Sequence, residues 1–201
     1  MWVVKLGGSL LGHPELKGWL SLLASQGDGR VIIVPGGGVF ADAVRTAQPA
    51  GGFDDATAHQ MALLAMEQYG LVMKSLQPEL VTASSELEIA ERSWQHRAIL
   101  WRPSQMVLAD ESIPQRWDVT SDSLAAWLAN KMGADRLVLV KHAAVHDVPL
   151  PIDRLVEAGV LDAAFAEFSS RLRCPISIMG KSDVASFAAL LAGNPTPARA
   201  C

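Results

Sequence analysis

The sequence predicts an α/β fold built on a parallel sheet, and three observations carry that expectation. A short apolar run breaks into glycines and then into helix-like sequence twice before residue 46. The runs themselves, such as Arg30-Val31-Ile32-Ile33-Val34, are continuous rather than alternating, as in strands covered on both faces. The helix-like stretches between them space their large apolar residues by three and four. Strand, glycine loop and helix in repetition form a parallel sheet, whose ligands gather at the carboxyl ends of the strands.

Each element follows from local pattern. Residues 3–6 form the first strand, and residues 14–24 a helix with Leu16, Trp19, Leu20 and Leu23 on one face. The second strand, residues 30–34, runs into Pro35-Gly36-Gly37-Gly38 and a helix over residues 39–46. Residues 54–76 read as one long helix, whose methionines and length suit a contact with a second copy of the chain. Its His59 and Glu67 could face a substrate, but a solvated face is the expected place for each. Residues 81–108 are the least legible stretch, with a strand at 98–101 and a short helix at 103–108. Trp94, Trp101 and Trp117 are expected to pack in the core. Thr120 or Ser121 caps a helix carrying Leu124, Trp127, Leu128 and Met132, which Gly133 stops. A strand at 137–141 ends on Lys141. A helix over 161–171, a strand at 175–179 ending near Lys181, and a last helix to 192 complete one domain over residues 1–193. Residues 194–201 are expected to form a loose tail.

Composition narrows the function. Half of the 201 residues are hydrophobic, 19% are charged, and the net charge is −4. That is a globular composition without the basic excess of a general nucleic-acid binder. No apolar run reaches the roughly 20 residues that span a bilayer, and no signal peptide is evident at the strand-like start. Cys174 and Cys201 have no metal-ligand spacing around them, so neither a disulfide framework nor a zinc site is expected, and a cytoplasmic setting is.

The chemistry concentrates at the glycine loops. Lys5 sits inside an apolar strand, where an unpartnered ammonium is costly. Gly7, Gly8 and Ser9 follow it, and Gly36, Gly37 and Gly38 follow the second strand. Glycines let backbone N–H groups approach a ligand, and at a helix start those groups attract anions. A phosphate-binding P-loop is absent, because Gly-x4-Gly-Lys-Ser/Thr does not occur. Gly36-x-Gly38-x-x-Ala41 satisfies a dinucleotide fingerprint only weakly, since it follows the second strand and lacks the strand-end acid. Ser9 lacks a nucleophile elbow. Phosphoryl transfer by positioned charges fits better, with Lys5, a further lysine, the glycine N–H groups and Asp122 as its parts.

The ordered set Val4-Lys5-Leu6-Gly7-Gly8-Ser9, Val34-Pro35-Gly36-Gly37-Gly38, Asp118-x-Thr120-x-Asp122 and Ala134-Asp135-Arg136-Leu137-Val138-Leu139 resembles the amino acid kinase family. The resemblance covers most of the chain. It implies a three-layer αβα sandwich, ATP with Mg2+ as donor, and an anionic acceptor. It implies further that Lys5 stabilises the transferring phosphoryl, that Gly7, Gly8 and Ser9 bind phosphate, and that Asp122 orders the lysines. Gly36, Gly37, Gly38, Asp118 and Thr120 would hold the acceptor. No protein metal ligands are implied, the Mg2+ being carried on the nucleotide.

The departures lie at the nucleotide end. Where the family usually shows Thr-Asp-x-x-Gly-Val-Tyr, this chain has Lys141-His142-Ala143-Ala144-Val145-His146-Asp147. The segment carrying the family's second lysine is missing, and Lys141 or Lys181 is expected to replace it. An expected C-terminal Gly-Thr is replaced by Asn194-Pro195-Thr196-Pro197. The shortened pattern, with its Val140-Lys141 ending and compact Gly159-Val160-Leu161-Asp162 segment, is similar to the subgroup linked to methanofuran and tetrahydromethanopterin metabolism, whose archaeal members phosphorylate an aminomethylfuran-methyl phosphate. A kinase for uridylate, isopentenyl phosphate or an amino acid, and a non-catalytic nucleotide-binding relative, remain the alternatives.

Overall fold

The computed structural model describes residues 1–143 and 151–193. β1 (Trp2–Leu6) leads through a 3-10 turn (Gly8–Leu10) to α1 (Pro14–Gln26), β2 (Val31–Pro35) and the hairpin of α2 (Gly38–Gly51) and α3 (Asp55–Leu76). β3 (Val81–Ala83), α4 (Glu86–Ser93), β4 (Ile99–Trp101) and α5 (Ser104–Leu108) follow. The chain continues through α6 (Ser121–Lys131), β5 (Arg136–Lys141), α7 (Ile152–Glu157), α8 (Phe165–Ser169), β6 (Ile176–Gly180) and α9 (Val184–Leu191). The strands form one parallel sheet in the order β3-β4-β2-β1-β5-β6. The segments at 144–147 and 194–201 singled out above lie outside the described residues.

Two hydrophobic cores flank the sheet, making the three layers. Leu16, Trp19, Leu20 and Leu23 of α1 and Phe187 of α9 pack with Val4 and Leu6 on one face. Val3 turns to the other, where α6 and Phe165 of α8 lie. The period-two alternation of β1 therefore sends Lys5, like Val3, toward α6. α3 contributes to both cores, with Leu63 and Met66 in one and Tyr69 and Met73 in the other.

The two glycine loops touch each other, backbone against backbone. A Cβ on Gly8 would lie 2.1 Å from the nitrogen of Gly38, and one on Gly36 would lie 2.3 Å from the nitrogen of Gly8. Gly38 also has φ +55°, a left-handed conformation that glycine adopts without strain. The loops are glycine-rich first because no side chain fits between them.

Several features differ from expectation. β3, α4 and α7 form in stretches that had no clear pattern, and the helix expected over 161–171 is only α8. Trp94 is 84% exposed rather than in the core, because it follows the amphipathic α4 on its solvent side. Trp101 is fully buried. No helix among the described residues is long and apolar enough to cross a membrane.

The loop contact predicts the outcome of Gly8→Ala. Its methyl group must displace Gly38, so the variant should lose about 1–3 kcal/mol in chemical denaturation, the usual cost of overpacking. Unchanged stability would mean the loops are not in contact.

Candidate active site

A buried ion-pair triad stands at the carboxyl ends of β1 and β5. α6 is buried from Ser121 to Ala129, covered by the sheet on one side and by α8 on the other. Asp122, in its first turn, is therefore 4% exposed. Lys5 Nζ lies 2.8 Å from Asp122 Oδ1, close as a charge contact but not aligned as a hydrogen bond. Lys141 Nζ donates to Asp122 Oδ2 at 2.5 Å. Strand register explains the convergence. Lys5 pairs with Leu139 of β5, and Lys141, two residues on, faces the same side.

The electrostatics follow from burial. Burial alone would raise the Asp122 carboxyl, but Lys5 and Lys141 outweigh it and hold the group below its usual range. Burial and then the neighbouring Lys5 push the Lys141 ammonium down to about 8, against the pull of Asp122. Two lysines against one aspartate leave this triad net positive in a poorly hydrated place, which draws an anion to its open side.

Lys181 is not part of this cluster. Gly180 pairs with Lys141, so the next residue turns to the opposite face of the sheet. There Lys181 Nζ lies 3.1 Å from His13 Nδ1 and 3.7 Å from Glu15 Oε1.

A cavity of about 270 Å3 opens beside the triad, between the α2–α3 hairpin, the glycine loops and residues 116–121. Gly8, Ser9, Gly37, Gly38, Thr120 and Ser121 form its polar end. Gly37 starts α2 without a side-chain cap, so first-turn N–H groups that a helix leaves unpaired border the space. Gly7 and Gly36 do not line it. The N–H of Gly7 donates to Val140 at 3.0 Å and that of Gly36 to Leu6 at 2.9 Å, both extending the sheet. Asp118 turns aside to pair with Arg116 at 2.9 Å.

The cavity also contains groups that sequence reasoning did not assign to the site. Arg45 lies 4.7 Å over the Trp117 ring and pairs with Asp42 at 3.0 Å, and Arg116 forms part of the wall. Trp117, expected in the core, is half-buried at this site and donates to Gln48 Oε1 at 2.6 Å. His59, expected on a solvated face, is 4% exposed and lines the wall. Glu67 instead pairs with Arg102 at 3.0 Å and accepts from the backbone N–H of Ser104.

Asp162, noted from sequence only as the end of the Gly159–Asp162 segment, caps α6 from outside. It accepts from the backbone N–H groups of Thr120 and Ser123 at 3.1 and 3.0 Å, and from both hydroxyls. Thr120 occupies the cap position but forms no capping bond with its own side chain. Burial and the nearby Asp122 raise the Asp162 carboxyl, against the hydrogen bonds from Ser123 and Thr120.

A parallel αβα fold with paired glycine loops and a buried Lys-Asp-Lys triad defines a class of anion-handling α/β protein. The sequence profile of the amino acid kinase family matches residues 1–147, and the chain belongs to that family. A (5-(aminomethyl)furan-3-yl)methyl phosphate kinase of Methanocaldococcus jannaschii is 28% identical over 142 residues, covering 69% of this chain and 64% of the relative. The chain thus matches just under two thirds of that relative's length. The crystal structure of uridylate kinase from Archaeoglobus fulgidus superposes with a TM-score of 0.73 at 18% identity, covering 96% of each chain. UMP kinase of Bacillus anthracis gives 0.70 at 15% identity, covering 96% of this chain and 92% of its own. At these identities the two structures establish the fold alone.

Replacing Asp122 tests the triad. Asp122→Asn leaves two buried ammonium groups without their counter-charge, so stability in chemical denaturation should fall by about 3–5 kcal/mol. A variant as stable as the wild type would show that the lysines are solvated instead.

Proposed function

We propose that the protein is an ATP-dependent kinase that transfers the γ-phosphoryl group to the phosphate of a small acceptor, an aminomethylfuran-methyl phosphate. The observation that carries this reading is the buried Lys5-Asp122-Lys141 triad, whose chain neighbour Ser121 lies with Gly8 and Gly37 on the wall of a cavity of small-metabolite size. Family membership supports the phosphotransfer class, and the archaeal relative supports the acceptor.

The acceptor phosphate would lie at the start of α2, against the unpaired N–H groups beyond Gly37. One of its oxygens bonds to the γ-phosphorus as the bond from that phosphorus to the ADP oxygen breaks. A phosphate nucleophile is already anionic, so no general base is needed. That agrees with Asp122, whose two oxygens are committed to lysines and not free to take a proton. Lys5 and Lys141 would balance the charge on the oxygens of the transferring group, where fixed cations in a poorly hydrated site act most strongly. Gly8 and Ser9 would face the same group from the loop after β1.

Among the described residues no three His, Cys, Asp or Glu side chains converge as a metal-ligand set. Asp122, the carboxylate nearest the site, is paired with Lys5 and Lys141, and Asp162 accepts from Thr120 and Ser123. The residues present therefore suit Mg2+ carried on the nucleotide phosphates, where it would neutralise charge between the β- and γ-groups. Self-association belongs to the same reading, supported by Leu64 and Leu71, exposed two turns apart on α3.

Phosphorus NMR of the protein with Mg-ATP and the aminomethylfuran phosphate should show ADP and a new organic diphosphate. Uridylate and isopentenyl phosphate in parallel assays identify the acceptor if another is preferred. Lys5→Ala should lower kcat by about a hundredfold or more while its circular dichroism is unchanged. Normal turnover in that variant would remove Lys5 from the mechanism, and tight ATP binding without transfer to any acceptor would make the protein a binding module.

A further inference from the structure

Charge is distributed unevenly along the cavity. α2 lines it with Gly38, Ala41, Asp42 and Arg45, whose spacings of three and four place them on one face of the helix. Gly38 lies at the glycine end, beside the N–H groups assigned to the acceptor phosphate. Asp42, four residues on, lies about 6 Å farther along the helix. It is the one carboxylate among the residues that line the cavity. Its side chain is 67% exposed, so a ligand can reach it.

The partners of the charged groups decide what this part of the cavity binds. Arg116 is held by both oxygens of Asp118, at 3.0 and 2.9 Å, and Asp118 does not line the space. Arg45 lies 4.7 Å over the Trp117 ring. That ring is fixed by its bond to Gln48 Oε1, and the Gln48 amide is itself anchored to Asp55 Oδ1 at 2.8 Å. Arg45 thus has a position that does not depend on Asp42. It donates to Asp42 Oδ1 at 3.0 Å, which leaves Oδ2 without a hydrogen-bond partner among the described residues. Half or more of each of these two side chains is exposed. Ion pairs so open to water contribute little, so an incoming cation displaces or shares this one readily.

We propose that Asp42 is a specificity-determining residue of the cavity, and that the phosphomonoester bound there carries an ammonium group on the end away from its phosphate. The uncapped start of α2 takes the phosphate, and the Asp42 carboxylate about one helical turn along takes the ammonium. The inference rests on the proposed function in treating the cavity as the acceptor site, and it adds the charge by which acceptors are chosen. A phosphomonoester of the same shape with a neutral group there loses one charge-assisted hydrogen bond, and binds about 3- to 10-fold more weakly.

Calorimetry without ATP tests this independently of turnover. The probes are the aminomethyl, hydroxymethyl and methyl forms of a furanylmethyl phosphate, titrated into the wild type, Asp42→Asn and Arg45→Met. The wild type should bind the aminomethyl form more tightly than the two neutral forms. Asp42→Asn should bring that ratio close to one by weakening the aminomethyl form alone. Arg45→Met, which frees both Asp42 oxygens, should keep the ratio or raise it. Should the asparagine variant not fold, the wild-type ratio and Arg45→Met still decide. Equal binding of the three probes by the wild type, no binding of any, or a wild-type ratio retained in Asp42→Asn overturns the proposal. So does a common loss of affinity for all three in Arg45→Met, which would place the phosphate on that arginine. Charge-selective binding lost in Asp42→Asn, alongside an absence of phosphoryl transfer in the NMR assay, would overturn the kinase reading and uphold this one. Transfer to acceptors with no preference for the ammonium would do the reverse.

Discussion

Asp122 between Lys5 and Lys141 is the interaction on which the rest of the site depends. An ammonium in the middle strand of a parallel sheet is tolerable only with a counter-charge, and the counter-charge is equally intolerable alone. Each of the three therefore requires the others to be folded into place. The helix that carries Asp122 is buried on all sides, so its start is fixed to the sheet, and Asp162 caps that start from a separate segment. A charge cluster of this kind contributes little net stability. Its consequence is a rigid, partly compensated positive site at the point where two glycine loops open.

The glycine loops then place backbone rather than side chain next to that charge. Gly7 and Gly36 continue the sheet by hydrogen bonding to Val140 and Leu6, while Gly8 and Gly38 meet at a separation that no Cβ could enter. Tyr69 of α3 packs beneath, its hydroxyl 3.4 Å from the Gly7 carbonyl. One contact thus joins β1, β2 and the α2–α3 hairpin, and the hairpin in turn forms the cavity. The α2 start remains uncapped at that cavity, whereas the α6 start is closed by Asp162. Of the two helix starts near the triad, the α2 start is the one presented to a ligand.

Much of this was legible in the sequence because it depends on short-range pattern. Lys5 within an apolar run, the two glycine loops and the existence of a long helix over residues 54–76 follow from spacing. The buried face of that helix does not: Leu64 and Leu71, read as part of its apolar pattern, are exposed, and Leu63 and Met66 are buried instead. The choice between Lys141 and Lys181 was open from spacing, since both end a strand, yet the sheet register separates them by face. Knowing that Lys141 shares the parity of Leu137 and Leu139 is enough to direct it toward α6. α4 carried a readable signal in Ser85 and Glu88, whose capping bond begins the helix. Its short length and polar exterior hid the pattern. Asp162 and His59 were hidden for a different reason. Each acquires its environment from segments distant in sequence, the α6 start for Asp162 and the Arg116 loop for His59. No local periodicity records such a contact.

The most direct test of the account is the titration of Lys141 followed by NMR of its side-chain nitrogen. In the ligand-free protein the ammonium should lose its proton as pH rises through about 8, well below the ordinary lysine value of about 10.4. Adding Mg-ADP or another nucleotide polyanion should move that midpoint upward, because negative charge beside the group favours its protonated form. A midpoint at the ordinary lysine value, unmoved by nucleotide, would show a solvated side chain and contradict the buried triad as the centre of the site.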